Sequence, residues 1–224
     1  MPTLLLRLVG PMQSWGVQSN FIWRETGYEP SKSGVIGLLC AAWGRKRDER
    51  IDDLAALTMG VRVDKAGTML RDFHTAGKDG YVRASGGPPE RKNVIISHRD
   101  YLADAAFLVG LESDDEKLLH TLHNKLRNPY WPLCLGRKAY VPGLPVWLKD
   151  GMIHGPLLEA LGEYPWLGSG NKKPETLYIF YDHPEGEIVR PDQPISFKPR
   201  QFAPRRIKRQ KIELIDAKLP QEGA

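Results

Sequence analysis

Apolar and polar positions fall into short blocks along the chain, and the spacing inside each block predicts an element. Thr3-Leu4-Leu5-Leu6-Arg7-Leu8-Val9 is a short apolar run stopped by Gly10-Pro11, the pattern of a buried strand entering a sharp turn. A loop follows to about Pro30. Ser31 then takes an N-cap position, and Val35, Ile36, Leu38, Leu39 and Trp43 recur at helical spacing up to the stop signal Gly44. After the charged cluster Arg45 to Arg50, a short helical stretch around Leu54 and Leu57 leads into Gly60-Val61-Arg62-Val63-Asp64, whose alternation predicts a strand turned by Lys65-Ala66-Gly67.

From Met69 to Ser97 apolar residues thin out, and Gly77, Gly80, Gly86, Gly87, Pro88 and Pro89 mix with Lys78, Arg83, Arg91 and Lys92. This predicts a basic hairpin or mobile loop projecting from the core. Asp104 to Leu111 carries Ala-Ala-Phe-Leu-Val-Gly-Leu, a buried strand. Asp114 to Asn128 predicts a second helix with Leu118, Leu119, Leu122 and Leu126 on one face, acids at its start and Lys125 and Arg127 at its end, ahead of Pro129. Trp131 to Leu135 is the next apolar piece and reads as a final strand running into Gly136-Arg137-Lys138. The order is βαββαβ, the α+β split pattern of ferredoxin-like and RNA-recognition folds.

Beyond Pro145 the signals weaken to a helix at Pro156 to Leu161 and a strand at Thr176 to Tyr181. The expected organisation is one domain over residues 1–148 with the insertion at about 69–97, then a small C-terminal extension over 149–224. That extension holds an acid-free stretch, residues 195–211, with Lys198, Arg200, Arg205, Arg206, Lys208, Arg209 and Lys211 interleaved with Phe197, Phe202 and Ile207.

Composition narrows the picture. With 224 residues, 41% hydrophobic and 26% charged, the chain is globular rather than disordered. A net charge of +5 favours a polyanionic partner only where the cations cluster. Cys40 and Cys134, far apart in apolar runs, suggest neither a disulfide framework nor a zinc pattern, which fits a reducing cytoplasm. No run approaches the roughly 18 to 20 apolar residues of a membrane span, and the N-terminus reads as a strand rather than a signal peptide.

Three loops carry candidate chemistry. Gly10-Pro11-Met12-Gln13-Ser14-Trp15-Gly16 either presents backbone N–H groups to a phosphate and an indole to a base, or folds Trp15 back on the core. Pro30-Ser31-Lys32-Ser33-Gly34 opens the first helix with the chemistry that receives an anion, though ordinary capping with a solvated Lys32 looks the same and the glycine spacing of a P-loop is missing. Arg24 and Thr26 can add phosphate contacts, as can the adjacent cations of Gly136-Arg137-Lys138. His120 and His123 are three apart on a predicted helix but lack a third ligand, so no metal or cofactor is expected. His74 and His98, flanking the insertion, are the residues that metal-independent RNA cleavage would use.

Taken in order, Gly10-Pro-Met-Gln-Ser-Trp-Gly16, Arg24-Glu-Thr26, Pro30-Ser-Lys-Ser-Gly-Val-Ile-Gly-Leu-Leu39, Val61-Arg-Val-Asp64, Arg99-Asp-Tyr-Leu-Ala-Asp-Ala-Ala-Phe107 and Leu135-Gly-Arg-Lys138 followed by Pro142 closely resemble the CRISPR-associated family-five subunits of type I-E Cascade surveillance complexes. The resemblance covers roughly residues 3 to 148. It implies membership of the repeat-associated RNA-binding (RAMP) superfamily, with an RNA-recognition-like palm and a β-hairpin thumb. It further implies a non-catalytic subunit that caps the 5′ handle of CRISPR RNA, touches the adjacent backbone subunit and the large subunit, and serves target DNA recognition in antiviral defence. Carried over by motif, Gln13, Ser14, Trp15, Arg24, Lys32, Ser33, Arg137 and Lys138 become handle-binding candidates. The rival reading is a metal-independent endoribonuclease processing precursor RNA, as relatives of type I-C do.

Overall fold

A computed structural model describes residues 1–17, 22–77, 80–81, 94–168 and 174–214. The chain runs β1 (Thr3–Gln13), β2 (Trp23–Arg24), α1 (Lys32–Trp43), α2 (Asp52–Ala55), β3 (Thr58–Lys65), β4 (Thr68–Ala76), β5 (Ile95–Glu112), α3 (Glu116–Arg127), β6 (Trp147–Ile153), α4 (Leu157–Glu163), β7 (Thr176–Asp182), β8 (Ile188–Phe197) and β9 (Arg200–Glu213). It is an α+β fold dominated by one sheet, in the order β6-β1-β5-β3-β7-β9-β8, with β2 and β4 both paired to β5.

The buried strands owe their position to an apolar supply on both faces. Leu4, Leu6 and Leu8 of β1 enter a core with Val35, Ile36 and Leu39 of α1, Met59 and Val61 of β3, Phe107, Val109 and Leu111 of β5, and Leu119 and Leu122 of α3. Leu5 and Leu108 turn the other way and meet Leu148, Leu157, Leu161 and Ile179, a second core under α4. Side chains two apart share a face, so a continuous apolar run fills both layers at once. Both long helices are capped as their sequences predict. Ser31 Oγ accepts from the Gly34 N–H at 3.3 Å, Gly44 adopts φ +87° and returns its N–H to Cys40, and Asp115 Oδ1 accepts from the Leu118 N–H at 3.0 Å.

Two expectations change. First, β1 does not stop at Gly10-Pro11 but continues through both to Gln13, paired with Leu102 of β5. Pro11 is tolerated because it sits exposed where the strand has passed its β6 partner. Second, Trp131 to Leu135 is not a strand. Pro129 and Pro132 break it, the Tyr130 and Trp131 N–H groups cap the end of α1 by donating to Ala42 and Ala41, and the sheet partner of β1 is instead Trp147–Ile153. Beyond β3 the sheet continues: β7 pairs with β3, β9 with β7 and β8 with β9, so the basic stretch 195–211 lies on the β8–β9 hairpin.

β5 is the element that links the centre of the sheet to the projecting ribbon. Its second half lies between β1 and β3, while its first half runs out with β4 from Thr68↔Ala103 to Ala76↔Ile95. The arms β4 and β5 are paired, while Lys78, Arg83, Arg91 and Lys92 lie outside the described residues. Gly67, at φ +72°, makes the β3–β4 turn where a Cβ would sit 2.5 Å from the Ala103 carbonyl oxygen.

Candidate nucleic-acid interface

The loop leaving β1 is assembled from the inside by Gln13. Its side chain is fully buried; Nε2 donates to the carbonyls of Leu8 and Ala105 at 3.0 and 2.8 Å, and Oε1 accepts from the Trp15 indole N–H at 3.1 Å. The Trp15 ring, 1% exposed, is therefore the core-facing one of the two alternatives its sequence allows. It packs against the first turn of α1, where a Cβ on Gly34 would come within 2.9 Å of the ring. The Trp15 N–H donates to Thr26 Oγ1 at 2.8 Å, which draws the segment after β2 onto the same loop.

The third loop joins through its backbone. The Ser14 N–H donates to the Leu135 carbonyl at 3.0 Å, and Ser14 Oγ donates to the Asp100 carbonyl at 3.2 Å. Gly136, at φ +92°, lies so close that a Cβ there would stand 1.7 Å from the Ser14 carbonyl oxygen. Arg137 then spans the gap, donating from Nη2 to the Arg24 carbonyl at 2.8 Å and from Nη1 to the Tyr140 hydroxyl at 3.0 Å. Residues separated by more than a hundred positions thus form one surface, on which Arg24 and Lys138 are exposed and Arg137 is half-buried.

Lys32 and Ser33 are joined to this surface through the first turn of α1, where Gly34 meets Trp15. Ser33 is half-buried. The Lys32 ammonium is not solvated: it is 6% exposed and lies 3.0 Å from Asp182 Oδ2. Burial pulls its pKa below the usual lysine value, with the Asp182 carboxylate opposing. Around it Arg205 joins Asp182 to Asp192, with 2.7 and 3.0 Å bonds to the latter, and Asp192 Oδ2 accepts the Lys32 backbone N–H at 2.8 Å. This network ties the start of α1 to β7, β8 and β9. An acid-free basic segment gave no hint that one of its arginines is an internal tie.

A second group of side chains escaped the sequence reading. Trp23 of β2, His98 of β5 and Phe73 of β4 stand in one row across three paired strands. Trp23 stacks on His98 at 4.4 Å and 18°, Phe73 meets His98 edge-on at 5.6 Å, and the Arg71 guanidinium lies 5.2 Å from the Trp23 ring centre. Asp100 holds that guanidinium by bonds of 2.7 and 3.2 Å, and the arginine in turn lowers the pKa of its carboxyl. The row could not be found by spacing, because it requires the parallel β2–β5 pairing of a two-residue strand.

The two histidines flanking the insertion do not converge. Phe73 is paired with His98 and His74 with Ser97, so His74 and His98 project from opposite faces of the β4–β5 ribbon. His123 contacts the Leu148 carbonyl at 2.8 Å, and His120 is exposed. Among the described residues no group of three His, Cys, Asp or Glu side chains is placed to hold a metal ion, and no helix is long and apolar enough to cross a membrane.

Comparison with known proteins identifies the family. The family model described as CRISPR-associated protein (Cas_Cas5) matches residues 3–212. A curated relative, the CRISPR system Cascade subunit CasD of Escherichia coli (strain K12), is 30% identical over 218 residues, covering 90% of this chain and 92% of its own length. A solved structure described as a crystal structure of a Cas protein superposes with TM-score 0.79 at 44% identity, covering 97% of this chain and all of that one. A chain of a CRISPR RNA-guided surveillance complex superposes with TM-score 0.79 at 32% identity, over 95% of this chain and 90% of that one. The chain belongs to the CRISPR-associated protein (Cas_Cas5) family.

Proposed function

We propose that this protein is a non-catalytic subunit of a type I-E Cascade surveillance complex that binds and caps the 5′ handle of its CRISPR RNA. The observation that carries the reading is the convergence of the loops at 13–16, 24–27 and 135–138 on one cationic surface, in a chain similar over nine-tenths of its length to a Cascade subunit. In this reading β6-β1-β5-β3 with α1 and α3 form a ferredoxin-like palm, the β4–β5 ribbon is the thumb, and β7–β9 complete the chain as an extension.

The candidate residues divide by exposure. Arg24 and Lys138 meet phosphates directly, with Ser33 and the half-buried Arg137 beside them. Gln13, Ser14 and Trp15 act by fixing the loop whose backbone lines the surface, and Lys32 acts by anchoring α1. The handle's neighbours in the complex are the adjacent backbone subunit and the large subunit, and target DNA passes the thumb. A cytoplasmic location follows from that assembly. The opposed faces of His74 and His98 support a non-catalytic role over RNA processing, since acid and base must reach one phosphate.

The test incubates the protein with labelled repeat-containing RNA in EDTA and runs native and denaturing gels side by side. Retained, uncut RNA is expected. Discrete cleavage within the repeat would overturn the reading in favour of a processing nuclease.

A further inference from the structure

The row of aromatic rings on the β4–β5 ribbon lies outside both cores. Trp23 is 45% exposed and Phe73 60% exposed, and neither belongs to either core. Large rings left in solvent on paired strands, with a clamped guanidinium beside them, have the composition of a stacking platform for unpaired bases. The strand pairing makes the platform rigid: β2 and β4 flank β5 at the same register, so Trp23, His98 and Phe73 cannot drift apart without breaking backbone bonds. Charge agrees. Asp100 is neutralised by Arg71, and Arg24 is exposed next to Trp23.

We propose that Trp23, His98 and Phe73, with Arg71 beside them, form a platform on which a nucleobase of single-stranded nucleic acid stacks. This rests on the reading that the chain holds RNA, and extends it from phosphate contacts to a base contact that the loops around Trp15 do not provide, since the Trp15 ring is buried. Stacking is tolerant of base identity, so the platform fixes the position of one nucleotide rather than reading its sequence.

The experiment scans single abasic sites through repeat-derived RNA and measures affinity for wild type, Trp23→Ala and Trp23→Phe by fluorescence anisotropy. At one position the abasic site weakens binding to wild type and Trp23→Phe by roughly 5- to 150-fold, and leaves Trp23→Ala, already weakened, unchanged. Equal losses for all three proteins at every position, with intact RNA still bound, overturn the platform alone. Failure of the wild type to retain intact RNA overturns the platform and the handle reading together. Repeating the scan in DNA separates the two sources of the base: coupling confined to RNA assigns it to the guide, whereas coupling confined to DNA supports the platform but assigns it to the target strand. Equal losses accompanied by failure of Trp23→Ala to enter a reconstituted complex would make this face a protein contact, contrary to the proposal.

Discussion

Trp15 and Lys138 represent opposite duties on one small surface, and single substitutions separate them. Trp15 fills the space between the β1 loop and α1, so Trp15→Ala should cost about 3–5 kcal/mol of stability, read by urea unfolding. Lys138 is exposed, and Lys138→Ala should leave the unfolding midpoint in place while reducing the slope of log affinity for single-stranded RNA against log salt by about 0.7. Gly136→Ala belongs with Trp15: its methyl collides with the Ser14 carbonyl at a left-handed backbone, and a loss of more than about 1 kcal/mol is expected in the same unfolding assay. Cys40 offers a pH test. Burial raises its thiol from 9.0 to about 11, so in the folded protein it keeps a proton that the unfolded chain releases. Between those values the unfolded state binds fewer protons, and this contribution to stability falls as pH rises. Urea unfolding at pH 8.5 and 10.5 should show that fall, and Cys40→Ala should make it shallower.

At the scale of elements, legibility followed how local each signal was. The helices α1 and α3 were readable because caps, apolar spacing and stops lie within one segment, as Ser31, Gly44 and Asp115 show. The strand expected after α3 was misplaced because Trp131 to Leu135 is as apolar as a strand, while the pairing of β1 with Trp147–Ile153 depends on contacts that no local window contains. The loops of the candidate surface were each visible as motifs, yet the burial of Trp15 and Lys32 was not, since a capping loop and a ligand-binding loop share the same residue types. The β7–β9 unit is the clearest case: Arg205 looked like one more cation in a basic run but bridges Asp182 and Asp192 against α1. Removing one partner of such a network leaves buried charge unpaired. Arg205→Ala is therefore expected to destabilise by about 3–5 kcal/mol in guanidinium unfolding, far more than the exposed Arg200→Ala.

For the molecule as a whole, one continuous sheet positions everything the proposed function requires. Its two cores fix the centre of the sheet, the long β5 carries the ribbon away from it, and the loops at one end of β1 gather Arg24, Arg137 and Lys138. The net charge of +5 alone would not identify a partner; what matters is that part of it is placed on loops joined by backbone bonds while other cations, Lys32 and Arg205, are internally paired. The central claim is that this chain covers the 5′ end of the guide. It is tested most directly by assembling the surveillance complex with 5′-labelled CRISPR RNA, with and without this subunit, and treating both with a 5′-directed single-strand nuclease. Protection of the handle only when the subunit is present is the predicted result, and equal digestion of the handle in both preparations would contradict it.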